Sequence, residues 1–316
     1  MRSFGAFLTS GLIRLITFPT RLACASLSAK ITAKPQKYSP PKDMRFKRFT
    51  LSAPAVFAEA LRPENFHGYI LHFHGGGRSA PLNNFYRKTA ARLACLTGAA
   101  VISVDYPTGD YFYPVMHDYC FSAYRAFTDL FPIAQTILVG DSYGANLALS
   151  CMLRARDASL PLPAACVLIS PFADMSASGD SYFENRRRDP VYGLTIFQSD
   201  KQTAKLRRIP AYCGNTPLKT PYLSPCFGDF TAFPPLLIQT GGAETSASDA
   251  LAVASAAQTA NIPCRLHIFK DMWHDFQYVA PFLKESKQAW AEIADFCRKM
   301  LLPAAINAPL NIAANK

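Results

Sequence analysis

Residues 137–150 read ILVGDSYGANLALS, an apolar run that meets Gly140, turns over Asp141-Ser142-Tyr143-Gly144 and resumes with small and apolar residues at helical spacing. This is the pattern of a buried strand passing directly into a helix. The same alternation recurs along the chain. Short apolar runs rich in β-branched residues at 69–73, 99–104, 136–139, 165–169, 235–239 and 265–269 predict buried strands. Helical patterns at about 82–97, 117–130, 144–158, 246–260 and 281–300 lie among them. Strand and helix in turn predict an α/β fold, a mostly parallel central sheet with helices on both faces.

Two stretches interrupt the alternation. Residues 175–222, where Ser, Arg, Pro and Tyr become frequent, read as a small helical lid inserted above the sheet. Its Phe183, Tyr192 and Phe197 supply aromatic surface for a pocket roof. At the other end, Phe4, Phe7, Leu8, Leu12, Leu15 and Ile16 recur at helical spacing, and 30–43 is a lysine- and proline-bearing linker. The expected organisation is therefore 1–43 as amphipathic helix and linker, part of the lid, followed by a catalytic domain over 44–316.

Charge and cysteine content narrow the function classes. The formal charge is +11, yet Arg2, Arg14, Arg21, Lys30, Lys34, Lys37 and Lys42 all precede the first acidic residue, Asp43. The rest of the chain is only mildly basic, with one short run at Arg186-Arg187-Arg188 and no recognition motif, so no nucleic-acid partner is expected. Nine scattered cysteines form no metal-ligand spacing, and Cys95, Cys120, Cys151 and Cys166 fall inside apolar stretches. A reducing, cytoplasmic setting is expected, without a metal. Arg14 sits where a signal peptide would need its uncharged centre, which weighs against secretion. An amphipathic leading helix leaves peripheral membrane contact as an addition to that setting. Nothing in the sequence speaks to oligomeric state.

Gly140-Asp141-Ser142-Tyr143-Gly144 fits G-x-S-x-G, where small neighbours leave room for a tight turn that lifts a serine hydroxyl from the sheet edge. An ordinary strand-to-helix turn would look similar, and a serine needs a base to become a nucleophile. A second element is His74-Gly75-Gly76-Gly77 after the first predicted strand. Consecutive glycines expose backbone N–H groups that can hold an anion, as acyl transfer requires. Arg78-Ser79-Ala80 comes next, not the lysine and hydroxyl of a phosphate-binding loop.

Taken together, HFHGGG (72–77), VISVDY (101–106), GDSYGANLAL (140–149), LISPFAD (168–174), YLSPCFGDF (222–230), FPPLLIQTGGAE (233–244) and DMWHDF (271–276) resemble the hormone-sensitive-lipase-like esterases of the α/β-hydrolase fold. The resemblance implies Ser142 as nucleophile, His274 as base and Glu244 as the acid that orients it, with Asp249 the competing acid. Asp271 and Asp275 flank His274, but a neighbouring side chain seldom reaches the adjacent ring. The resemblance also implies an oxyanion site from the backbone N–H groups of Gly76, Gly77 and Tyr143, with His74, Asp141 and Asp174 giving hydrogen-bonding support around it. It implies hydrolysis of small acyl esters without a cofactor; the rivals are a non-catalytic ligand-binding protein, or an amidase, lactonase or deacetylase. Three positions depart from the family pattern, all near the expected site: Pro107 to Tyr111, Arg78 where an aromatic residue is usual, and Tyr143 where alanine is usual.

Overall fold

The computed structural model describes residues 5–6, 8–13, 37–51, 56–193 and 211–301. In chain order the strands are β1 (Met44–Thr50), β2 (Phe57–Pro63), β3 (Tyr69–Phe73), β4 (Ala100–Val104), β5 (Thr136–Asp141), β6 (Ala165–Ile169), β7 (Leu236–Gly241) and β8 (Cys264–Phe269). The helices are α1 (Asn84–Thr97), α2 (Val115–Leu130), α3 (Tyr143–Asp157), α4 (Ser181–Glu184), α5 (Ala247–Thr259), α6 (Phe276–Val279) and α7 (Lys284–Met300). They build one eight-stranded sheet in the order β1-β2-β4-β3-β5-β6-β7-β8. The β1–β2 and β2–β4 pairs are antiparallel; among themselves β3 to β8 pair in parallel, in register through Leu71–Leu138 and Val139–Val167.

β3 to β7 are buried along their whole length, so they appear in sequence as continuous apolar runs. Alternate side chains nevertheless serve different faces. Leu71, Phe73, Ile102, Leu138, Leu168 and Ile238 pack with Tyr124 and Phe127 of α2, Leu149 and Met152 of α3, and Val253 of α5. Ile70, Val101, Ile137, Val139, Val167 and Leu237 point the other way, onto Leu93 and Ala94 of α1 and Trp290, Ile293 and Cys297 of α7. Helices thus cover both faces, as the alternation requires.

β1 and β2 do not follow from apolar runs. β1 forms one edge of the sheet with β2 next to it, both are partly exposed, and MRFK at the start of β1 alternates apolar with basic residues. Charged edge strands protect a sheet from pairing with other chains. The buried Glu59 on β2 is held by Arg48 at 2.8 Å and by Arg87 of α1 at 2.6 Å, so a carboxylate that would be costly alone is paired twice. The remaining boundaries differ from expectation by up to three residues, and the short helices α4 and α6 are additional.

The leading segment is helical at residues 5–6 and 8–13. Its Ala6 and Ile13 are buried with Phe269, Met272, Trp273, Phe276, Ala280 and Leu283, the cluster beneath the loop after β8. Leu8 and Leu12 are more than half exposed. Among the described residues no helix is long and apolar enough to cross a membrane. Of the expected lid, 175–193 and 211–222 are described, including α4; Phe197, and Phe4, Phe7, Leu15 and Ile16 of the leading helix, lie outside the described residues.

Candidate active site

The strand-to-helix junction at Gly140–Gly144 sits at the centre of the sheet. β5 ends at Asp141, α3 begins at Tyr143, and Ser142 lies between them at φ 52°, ψ −118°. A non-glycine residue with positive φ stores backbone strain of about 1–3 kcal/mol and persists only when its surroundings enforce it. Here the Ser142 N–H donates to Ile169 O at 2.8 Å, and its carbonyl accepts from Phe172 N at 3.1 Å. The flanking glycines are steric requirements: a Cβ on Gly140 would stand 2.5 Å from Gly144 O, and one on Gly144 would overlap the carbonyls of Phe73 and His74.

Beyond β8 the chain turns through Asp271 and the fully buried Met272 and Trp273 before His274. The Ala243 N–H donates to Met272 O at 2.8 Å, which ties this loop to the one after β7. His274 Nε2 lies 2.8 Å from Ser142 Oγ, and Nδ1 lies 2.8 Å from Glu244 Oε2. A carboxylate only accepts, so in the neutral ring Nδ1 carries the proton and Nε2 is left to accept from the serine hydroxyl. Glu244 is itself fixed, its Oε1 accepting from Gly241 N at 2.7 Å and from the Thr240 hydroxyl. All three side chains are buried.

The other acids divide sharply. Asp249 Oδ2 accepts from Ala173 N at 2.8 Å, Asp174 N at 3.0 Å and the Tyr182 hydroxyl at 3.1 Å, so it braces the loop after β6, not His274. Asp174 accepts from the backbone and hydroxyl groups of Ser176 and Ser178, shaping the start of the insertion. Asp141 lies under the glycine loop, where a Cβ on Gly75 would strike its carboxylate, and its Oδ1 is 3.7 Å from His72 Nε2. Asp271 pairs with Arg188 at 2.9 Å. Asp275 departs from the adjacency argument. Its backbone is left-handed at φ 51°, which turns its carboxylate back until Oδ2 stands 3.4 Å from His274 Nε2.

Burial disfavours the His274 imidazolium, but the Asp275 charge, the Glu244 hydrogen bond and Asp189 more than reverse this and raise its pKa. Burial in turn pushes the Asp275 carboxyl well above the usual carboxylate range, against the opposing charge of His274. Such neighbours share protons, and their titration belongs to the pair.

The glycine loop is held from below by His74. Its Nδ1–H donates to Gly75 O at 2.9 Å, its ring stacks on Tyr106 at 4.3 Å and tilts against Tyr86 at 4.7 Å. The Tyr106 hydroxyl donates to His74 O. Burial, with His72 nearby, pulls the His74 pKa down to about 3, so this ring is a neutral brace. Gly76 (φ 98°) and Gly77 (φ 58°) adopt conformations that disfavour any side chain, and Gly76 O closes a turn by accepting from Ser79 and Ala80 N–H. Tyr143 opens α3, so its N–H is a first-turn donor without an intrahelical acceptor.

Sequence reasoning passed over the parts that join the insertion to the site. Asp189, fully buried, accepts from Val191 and Tyr192 N–H through Oδ1 and from Thr245 N–H through Oδ2. Asn185 Nδ2 donates to Glu244 O at 2.8 Å. The Tyr192 ring thereby lies 4.8 Å from that of His274, and its hydroxyl beside Gly77. A third device is His117, whose Nε2–H donates to Asn146 Oδ1 at 3.0 Å while Nδ1 accepts from the Tyr212 hydroxyl at 2.9 Å. Asn146 also donates to Phe172 and Leu223 carbonyls, so α2, α3 and two loops meet there. A polar residue inside an apolar helical pattern was the available signal for both. Among the described residues no group of three or more His, Cys, Asp or Glu side chains could hold a metal ion.

A strand-turn-helix serine at the carboxyl ends of parallel strands, in line with a histidine and an acid from later loops, defines an α/β hydrolase. Residues 70–278 match the α/β-hydrolase fold family. The chain is 34% identical to an acetyl-hydrolase of Streptomyces hygroscopicus over 76% of its own length and 79% of that protein. It superposes on the crystal structure of an esterase/lipase from an uncultured bacterium with TM-score 0.80 at 26% identity, covering 94% of this chain and 98% of the other. A bacterial hormone-sensitive-lipase-family esterase superposes with TM-score 0.74 at 28% identity, covering 90% and 98%. The chain belongs to the α/β-hydrolase family, in its hormone-sensitive-lipase-like branch.

Proposed function

We propose that this chain is a serine carboxylesterase that cleaves small acyl esters through a covalent acyl-enzyme. The observation that carries the reading is the continuous hydrogen-bonded line from Ser142 Oγ through His274 to Glu244, with 2.8 Å on each side of the ring. In the proposed reaction Ser142 Oγ attacks the ester carbonyl while its proton passes to His274 Nε2. The Gly76, Gly77 and Tyr143 N–H groups stabilise the oxyanion. His274 then returns the proton to the departing alcohol, takes one from the water that attacks the acyl carbonyl, and gives it to Ser142 Oγ as the acyl–oxygen bond breaks and the acid leaves. Glu244 holds the ring tautomer throughout. No step calls for a cofactor.

The leading helix and the 175–222 insertion act in this proposal as the pocket cover. The former reaches the His274 loop through Ala6 and Ile13, the latter through Tyr192. A covered pocket favours short acyl groups, and the acetyl-hydrolase name of one relative favours acetyl in particular, from an alcohol or from an amine. Exposed Leu8 and Leu12 suit transient contact with a membrane surface from the cytoplasmic side. Hydrolysis of para-nitrophenyl acetate by the wild type and by Ser142→Ala tests the reading. We expect loss of activity in the variant and a fluorophosphonate adduct on the Ser142 peptide of the wild type. Equal rates for both proteins, or no adduct, leave only a binding protein.

A further inference from the structure

Arg78 follows directly on Gly76 and Gly77, and its own backbone is left-handed at φ 73°. The Gly109 N–H donates to Arg78 O at 2.8 Å and pins that conformation. The guanidinium carbon sits 5.0 Å from the Tyr212 ring centroid and 5.7 Å from that of Tyr143, the residue next to Ser142. Tyr143 and Tyr212 themselves pack edge to face at 6.0 Å. Burial raises the Tyr192 phenol and the Arg78 charge opposes that rise, so the cation is felt at the ring that lies on His274. A positive charge is therefore built into the wall shared by the glycine loop, the nucleophile turn and the insertion.

That charge has no protein counterion among the described residues. Arg78 has only ring contacts and is half-buried; Arg92 over Trp290 also lacks a carboxylate within 4.0 Å, but only Arg78 of the two stands beside the glycine loop and the nucleophile turn. A guanidinium over aromatic rings spends none of its N–H donors on them, and its planar fork can take a carboxylate in a bidentate manner. A neutral ester leaves this fork unused. We propose that the site selects esters that carry a second, ionised carboxylate, which pairs with Arg78 while the ester carbonyl occupies the Gly76-Gly77 donors. This rests on the esterase reading above.

The test compares anionic and neutral esters of matched shape. On the acyl side these are para-nitrophenyl hemisuccinate and isocaproate; on the alcohol side, para-acetoxybenzoate and its methyl ester. For at least one pair, the anionic-to-neutral ratio of kcat/KM is expected to fall about tenfold in Arg78→Gln, the size of one charge-assisted hydrogen bond, and to be partly restored in Arg78→Lys. In the wild type alone, raising NaCl from about 0.05 to about 0.5 M should lower the same ratio through screening. That arm holds if Arg78→Gln does not fold. Ratios that ignore both substitution and salt, with all esters still hydrolysed, overturn the inference and leave the esterase reading standing. No turnover of any ester by the wild type overturns both.

Discussion

Asp275→Asn isolates the least expected contact in the site. Its carboxylate oxygen stands 3.4 Å from His274 Nε2, on the side of the ring that must accept the serine proton. Two unit charges at that separation interact by about 5 kcal/mol at an effective dielectric of about 20. That would equal between about three and four pKa units, each unit being about 1.36 kcal/mol. Two features reduce it. The negative charge is shared between two carboxyl oxygens, and burial favours the protonated form of Asp275. A displacement of about one to two units is expected. Removing a neighbouring anion destabilises imidazolium, so the His274 pKa falls and its neutral, reactive form persists to lower pH. The acid limb of the kcat/KM profile for para-nitrophenyl acetate, which reports the free enzyme's essential base, should move down by that amount. Asparagine tolerates the left-handed backbone that residue 275 adopts, so the fold is kept. An acid limb that stays within about 0.3 units of the wild type, or that rises, refutes the coupling.

The remaining expectations concern which acid does what. Glu244→Gln should lower kcat by about a thousandfold or more with KM little changed, because the ring loses its orienting charge. Asp249→Ala should instead lose about 2–4 kcal/mol of stability in urea unfolding, since two backbone N–H groups and the Tyr182 hydroxyl lose their buried acceptor; turnover falling with Asp249 and surviving loss of Glu244 would reverse the assignment. His117 is held neutral, burial lowering its pKa from 6.5 to about 4. An unfolded chain takes up that proton below about pH 6.5 while the folded one resists, so stability present at neutral pH is lost on acidification. Between about pH 7 and about pH 4 the wild type should lose about 3 kcal/mol more than His117→Gln, and parallel stability–pH curves would contradict this.

The middle of the molecule was readable because burial on both faces turns β3 to β7 into uninterrupted apolar runs, and because glycine at 140 and 144 is forced by contacts that any side chain would violate. The edge was not. β1 and β2 bury only part of their surface, so neither reads as an apolar run, and the alternation in MRFKRFT is short and broken at Lys47-Arg48. Asp275 escaped for a different reason: adjacency in sequence excludes a contact only for ordinary backbone, and a left-handed residue reverses the direction of its side chain. Asp189 and Asn185 escaped because the bonds that tie them to the Glu244 loop reach more than fifty residues along the chain.

Those long-range bonds bear on how selectivity and chemistry are linked. Asp189 receives Tyr192 N–H with one oxygen and Thr245 N–H, the residue after Glu244, with the other. A single buried carboxylate thus fixes the pocket wall relative to the acid that orients His274, and Asn185 repeats the tie through Glu244 O. Displacement of the 181–193 segment must therefore strain the Glu244 loop, because neither Asp189 oxygen can release its donors without leaving a buried charge unpaired. Substrate groups that press on Tyr192 act on the same rigid body that aligns the base, so pocket substitutions here are expected to alter kcat together with KM, where an independently mobile cover would alter KM alone.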